Sequence, residues 1–267
     1  MAVLETGKNR MMNKTWDNKV VLISGGLGDI ALATALAFGK EGAKIALADI
    51  IDVGEHKKKA EVLNRESIDF IYSQVDISQP SAVAGWVEKV DATWGRMDVA
   101  IMNAASLQQN SVERISVDEW QLSMNINLNG AFYMARQAAV YMKSRQLKGN
   151  LIFMGSWAAH AVHPAIPAYS VAKAGIRMLC QCMALEFASD GIRVNEIAPG
   201  YVNAGLSKEV WKADPALADE ARARVPVGLL ITPEEVAANI IWICNDNNRN
   251  LTGSTLVVDG GLSLLRP

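Results

Sequence analysis

The chain is predicted to be a doubly wound α/β protein: a parallel sheet of about seven strands with helices on both faces. Two observations carry this. Short apolar runs alternate with long apolar-periodic segments from residue 19 to about 200, which is the βαβ rhythm of a parallel sheet with right-handed crossovers. The short runs are apolar almost throughout, as strands buried on both faces must be.

The elements follow in order. Strands are expected at 19–24, 44–49, 69–75, 98–102, 150–155, 192–197 and 255–259. Helical periodicity fills 30–41, 80–94, 118–145 and 167–189. Residues 201–228 break the rhythm, with Trp211, Pro215, Pro226 and several charges. Residues 1–17 are polar and read as a flexible tail, leaving 18–267 as one domain.

Composition narrows the class. Half of the 267 residues are apolar and the formal net charge is −2, so no basic face for nucleic acid is expected. No run resembles a signal peptide or a membrane span. The three cysteines, Cys180, Cys182 and Cys244, fit a reducing compartment, so a cytoplasmic protein is expected. No set of residues has metal-ligand spacing.

The chemistry is concentrated in Ala-Tyr-Ser-Val-Ala-Lys-Ala (168–174). Tyr169 and Lys173 lie four residues apart, on one face of a helix. A free phenol titrates near about 10 and is a poor base at neutral pH. A neighbouring ammonium favours the phenolate, so the pair is suited to moving a proton on or off an alcohol or carbonyl oxygen. By itself Tyr-x-x-x-Lys is more often a surface pair; its surroundings give it weight.

Those surroundings form an ordered set. Lys-Val-Val-Leu-Ile-Ser-Gly-Gly-Leu-Gly-Asp-Ile-Ala (19–31) reads as strand, tight turn and helix start. Asp49, Asp76 and Asn103-Ala104-Ala105 end the next three strands, and Asn127 lies in a helix. Ser156 ends Asn-Leu-Ile-Phe-Met-Gly-Ser (150–156), and Pro199-Gly200 follow Ile-Arg-Val-Asn-Glu-Ile-Ala (192–198). Taken together, this set resembles the short-chain dehydrogenase/reductase family in its compact single-domain branch, over roughly residues 15–265.

The resemblance implies a Rossmann-type fold and a set of roles. Tyr169 is the acid/base, Ser156 bonds the substrate oxygen, Lys173 lowers the tyrosine pKa and holds the nicotinamide ribose, and Asn127 fixes a water behind Lys173. Ser24, Gly25, Asp29, Ile30, Asp49, Ile50, Asp76, Ile77, Asn103, Ala104, Pro199, Gly200 and Val202, with Tyr169 and Lys173, are implied as the dinucleotide site. Ser156, Trp157, His160 and Tyr169 are the candidates for touching substrate, although a lone histidine more often simply packs. The segment 201–228 is implied as a substrate lid, and a surface helical hairpin is the plainer reading.

An acid at Asp49, 24 residues after Gly25, suits ribose hydroxyls and repels a 2′-phosphate, so NAD is expected over NADP. Lys57, Lys58 and Lys59 read as a solvated face. The family turn Thr-Gly-x-x-x-Gly-Ile-Gly here has Asp29 and Ala31 in place of glycines. A carboxylate about 4 Å from a phosphate costs roughly 1 to 4 kcal/mol. Asp29 is therefore expected to turn aside and cap the helix that starts near Ile30.

The expected activity is NAD-dependent interconversion of a secondary alcohol and a carbonyl, on a small molecule such as a sugar, polyol or sugar acid. The polar run Ser106, Gln108, Gln109, Asn110 inclines the choice of substrate. A carbonyl or 3-oxoacyl reductase, and a non-catalytic dinucleotide-binding scaffold, stay open. The C-terminal strand implies a homotetramer, with a homodimer as the alternative.

Overall fold

A computed structural model describes residues 15–163, 165–205, 207, 208, 211 and 216–265. The strands are β1 (Val20–Ser24), β2 (Lys44–Asp49), β3 (Phe70–Gln74), β4 (Val99–Met102), β5 (Asn150–Met154), β6 (Arg193–Pro199) and β7 (Thr255–Val258). They form one parallel sheet in the order β3-β2-β1-β4-β5-β6-β7. The order reverses between β1 and β4, so their carboxyl ends open a crevice where a ligand can sit.

The helices are α1 (Asp29–Lys40), α2 (Val53–Lys59), α3 (Glu61–Arg65), α4 (Pro80–Trp94), α5 (Val117–Met124), α6 (Ala131–Ser144), α7 (Pro167–Phe187), α8 (Ala216–Arg224) and α9 (Pro233–Cys244). Short α2 and α3, and α9, were not expected from periodicity. The α9 start is nevertheless written locally. Thr232 accepts the Glu235 amide and Glu235 returns to the Thr232 amide, a capping box that satisfies two end donors.

Side-chain alternation along β1 separates two cores. Val20 and Leu22 face α4, α6 and α7, whereas Val21 and Ile23 face α1 and α9. Each fully buried aliphatic side chain contributes about 1.5–3 kcal/mol, and both faces are filled with them. At the amino ends of the strands, Asp98 gathers Arg96 Nε at 2.7 Å, Lys19 Nζ at 3.2 Å and the Val20 amide at 3.0 Å. These bonds tie β1 to β4 and fix the register behind the crevice.

The packed domain begins earlier than residue 18. Trp16 is buried edge-on against Phe38, with ring centroids 4.7 Å apart, and its amide bonds Glu41 O. The remainder of the expected tail, residues 1–14, lies outside the described residues. So do 206, 209, 210 and 212–215 of the expected lid.

Candidate active site

The crevice at the carboxyl ends of the strands is a cleft of about 750 Å³. Gly25, Asp29, Ile30, Asp49, Ile50, Asp76, Ile77, Asn103, Ala104, Tyr169, Lys173, Pro199, Gly200 and Val202 all line it. Leu27, Gly28, Lys59, Ala105, Ser106, Ser207 and Lys208 line it as well.

Ser24 does not. Its hydroxyl is buried and accepts the Asn103 amide at 3.1 Å, holding the end of β4 against the turn. The Asn103 side-chain amide answers by donating to Ser24 O and Gly25 O. Lys59 is also not merely solvated, because it lines the cleft while approaching Glu55.

The turn from β1 to α1 suits a pyrophosphate. Gly25 has φ +59°, and a Cβ there would lie 2.7 Å from Ala104 Cα. Only glycine takes that backbone conformation without strain and with that close approach. Gly28 is the N-cap of α1 and no side chain caps the helix, so its first N–H groups and dipole point into the cleft. A dinucleotide fits this cradle.

Asp29 departs from expectation. It is the first residue of α1, where an acid is favourable, but it does not cap that helix. Its Oδ2 accepts the Gly205 amide at 2.9 Å, tying the turn to the segment after β6. Asp49 likewise bonds the turn, accepting the Leu27 amide at 3.1 Å. Replacement Asp29→Gly is expected to leave dinucleotide affinity equal or tighter while loosening 201–228. Calorimetric titration and the rate of limited proteolysis in that segment check the two halves.

The reacting groups stand where β5 and α7 meet. Pro167 starts α7, which carries Tyr169 and then Lys173 one turn on. Ser156 lies two residues beyond the end of β5, its hydroxyl accepting the Ala158 amide at 3.2 Å and hydrogen-bonded to the Tyr169 phenol. Burial pushes the Tyr169 pKa up, and the Ser156 bond opposes the rise. Lys173 is almost fully buried and donates to Met154 O at 2.7 Å. Burial pulls its ammonium down to about 8, with Glu196 opposing. Its Nζ is 5.4 Å from the Tyr169 ring centroid. The ammonium is thus anchored to β5, and burial is the largest influence on the phenol.

Asn127 sits in a π-helical segment, Asn125–Gly130, between α5 and α6. Such a bulge in a helix commonly marks a functional site. Its side chain donates to Ser106 O at 2.9 Å and Ser123 Oγ at 3.0 Å, and accepts the Ser106 amide at 3.1 Å. It therefore clamps the segment that follows β4.

A second cavity, of about 290 Å³, opens beside residues 201–224. Ser156, Tyr169, Gly200 and Ser207 line both cavities. Trp157 also lines the smaller one, packed edge-on against Tyr201 and His163. His160 does not line it. Arg177 draws that ring away, its Nη1 lying 3.1 Å from His160 Nδ1. His163 takes the position by the pocket, and burial together with Arg224 lowers its pKa, favouring the neutral ring. Leu107, Ile166, Leu217 and Ala221 give the wall an apolar part, and Gln109, Tyr201, Trp211, Glu220 and Arg224 add polar and aromatic groups. The last four come from the expected lid, whose fold was not legible by inspection.

The same architecture recurs in known proteins. Residues 27–263 match the family model described as enoyl-(acyl carrier protein) reductase. The chain is 32% identical to 3beta-hydroxysteroid dehydrogenase 1 of Eggerthella lenta, over 92% of this chain and 94% of the relative. It is also 32% identical to the 3-oxoacyl-[acyl-carrier-protein] reductase of Thermotoga maritima, over 92% of this chain and 98% of that protein. A crystal structure of NAD+-bound xylitol dehydrogenase superposes with TM-score 0.87 at 29% identity, covering 93% of this chain and 100% of the other. Sheet order, glycine turn and relatives agree: the chain belongs to the short-chain dehydrogenase/reductase family of oxidoreductases.

Proposed function

We propose that the protein is an NAD-dependent dehydrogenase that interconverts a secondary alcohol and a ketone, on a polyhydroxylated substrate such as a sugar, polyol or sugar acid. The observation that carries this reading is the junction of the two cavities at Ser156 and Tyr169. A substrate in the smaller cavity meets a phenol and a hydroxyl there, on the border of the dinucleotide cleft.

A bound nicotinamide supplies the hydride acceptor or donor. The chain's own residues handle the oxygen and its proton. The Ser156 hydroxyl orients the carbinol oxygen toward Tyr169. Tyr169 as phenolate accepts the hydroxyl proton during oxidation and, as phenol, returns it during reduction. Lys173 lends positive charge to the phenolate that forms. Asn127 holds the loop after β4 in place beside them.

Aromatic faces on Trp157, Tyr201 and Trp211 suit the C–H face of a sugar ring. Arg224, Gln109 and neutral His163 suit its hydroxyls or a carboxylate. Xylitol dehydrogenase with NAD+ among the structural relatives supports the polyol and NAD readings. The assembly is proposed to be a homotetramer or homodimer, in the cytoplasm. Among the described residues no helix is long and apolar enough to cross a membrane.

Initial rates with a panel of sugars, polyols, sugar acids and ketones, with each cofactor, test the reading. Turnover restricted to ketones with NADPH would move the assignment to a carbonyl or 3-oxoacyl reductase, in which Lys59 receives the 2′-phosphate. Asp49→Ala is expected to narrow the NAD preference mainly by weakening NAD. The ratio of kcat/KM values for the two cofactors checks it, and a native preference for NADP would contradict the role given to Asp49.

A further inference from the structure

One buried carboxylate has no place in the mechanism above. Glu196 stands in the middle of β6, in an otherwise apolar face, and is wholly buried. Its Oε2 accepts the Thr255 hydroxyl of β7 at 2.5 Å. Its Oε1 has no hydrogen-bond partner among the described residues. Leaving a buried carboxylate oxygen unbonded is costly unless charge nearby compensates it.

The space for this side chain exists because residue 155 is glycine. A Cβ on Gly155 would overlap Glu196 Oε1 and lie 2.7 Å from its Cδ. Gly155 lies between Met154, whose carbonyl holds Lys173, and Ser156. The carboxylate is thus lodged against the backbone that bears Ser156 and accepts the Lys173 ammonium.

We propose that Glu196 is a positioning residue for the proton-transfer pair, a fixed negative charge behind β5 that keeps Lys173 cationic in its dry site. The proposal rests on the reading of Tyr169 and Lys173 given above. Its neighbours among the described residues come from three places in the fold. From α7 come Lys173, Arg177 and Cys180; Gly155 follows the end of β5, and β7 presents Thr255. His160 stands beyond Arg177, and Asp259 faces His160 in turn. Burial raises the Glu196 pKa, and the Thr255 bond, Arg177 and Lys173 oppose the rise, favouring the charged form; burial and this carboxylate in turn push the Cys180 thiol up.

The sign follows from Coulomb's law. A negative charge near the Tyr169–Lys173 pair makes each proton of the pair harder to remove. Replacing it by a neutral group of the same shape makes the pair lose a proton at lower pH, about one unit lower at the dielectric effective in proteins.

The test uses the whole native enzyme with its best substrate from the panel. In Glu196→Gln, the pH profiles of kcat/KM in both directions are expected to move about one unit toward acid. The tyrosinate absorbance that Tyr169→Phe removes is expected to move with them. Thr255→Val takes away the hydrogen bond that favours the charged form, so Glu196 is expected to keep its proton to higher pH, and a smaller shift of the same sign is expected. Normal activity with profiles and tyrosinate titration unmoved in these variants overturns the proposal while leaving the dehydrogenase reading intact. If Glu196→Gln does not fold, an unmoved profile in Thr255→Val has the same force. A native enzyme whose turnover survives Tyr169→Phe removes the reading on which the proposal rests.

Discussion

Tyr169→Phe is expected to lower turnover by about 10²- to 10⁴-fold while leaving the fold and dinucleotide affinity near native. The substitution removes one oxygen and keeps the ring that lines both cavities. General acid–base catalysis contributes about 10² to 10⁴ in rate, and the neighbouring Ser156 cannot replace it, since an aliphatic hydroxyl is a far weaker acid than a phenol. Steady-state kinetics, circular dichroism and NADH fluorescence separate the three quantities. The native pH profile carries further information. Burial raises the Tyr169 pKa and lowers that of Lys173 to about 8. Oxidation, which needs the pair short of one proton, is expected to accelerate as pH rises through the titration of the pair. Reduction, which needs both protons, is expected to slow over the same range.

Gly155→Ala is expected to damage both stability and catalysis, by more than any substitution of similar size at an exposed glycine. The new methyl group overlaps a buried carboxylate rather than the free end of a flexible chain. Overpacking in a core costs about 1–3 kcal/mol, and displacing Glu196 from its Thr255 bond adds to it. Ser156 is the next residue, so its hydroxyl is expected to shift relative to Tyr169. Chemical denaturation should show a loss of about 2–4 kcal/mol, and kcat should fall even at temperatures where the variant is folded. The contrast is Gly85→Ala on α4, where none of the described residues lies within 4 Å of the new methyl. There the expected change is neutral or slightly stabilising, because alanine is the better helix former.

The sheet was legible because its strands are buried on both faces and read as unbroken apolar runs; all seven strands overlap the expected ranges, with end differences of up to two residues. The long helices were legible from their period. Helix α8 was not, because Ala216–Arg224 is dominated by alanine and charge and buries only Ala221. Helix α9 could have been found from Thr232-Pro233-Glu234-Glu235 followed by Val236, Ala237, Ile240 and Ile243. In the cleft, residues at strand ends lie where the chain order put them, since each strand delivers its last residue to the same edge.

The misreadings share a cause, which is a partner distant in sequence. Asp29 was weighed against its own helix, but its hydrogen-bond donor is 176 positions away. His160 was judged by closeness to Ser156, whereas Arg177 on α7 decides where its ring points. Ser24 was carried over as a ligand contact, yet its hydroxyl is spent on the backbone of β4. Glu196 was visible as a charge inside an apolar strand, but its neighbours Gly155 and Thr255 meet it only in the folded sheet.

The most direct test of the central claim is isotope transfer. The best alcohol from the panel is prepared with deuterium on its carbinol carbon and incubated with the enzyme and NAD. The expected result is deuterium in the reduced nicotinamide, with one equivalent of ketone, and no transfer in Tyr169→Phe. NAD bound in the cleft with no reduced nicotinamide formed from any alcohol of the panel, and none consumed with any ketone, would contradict the account.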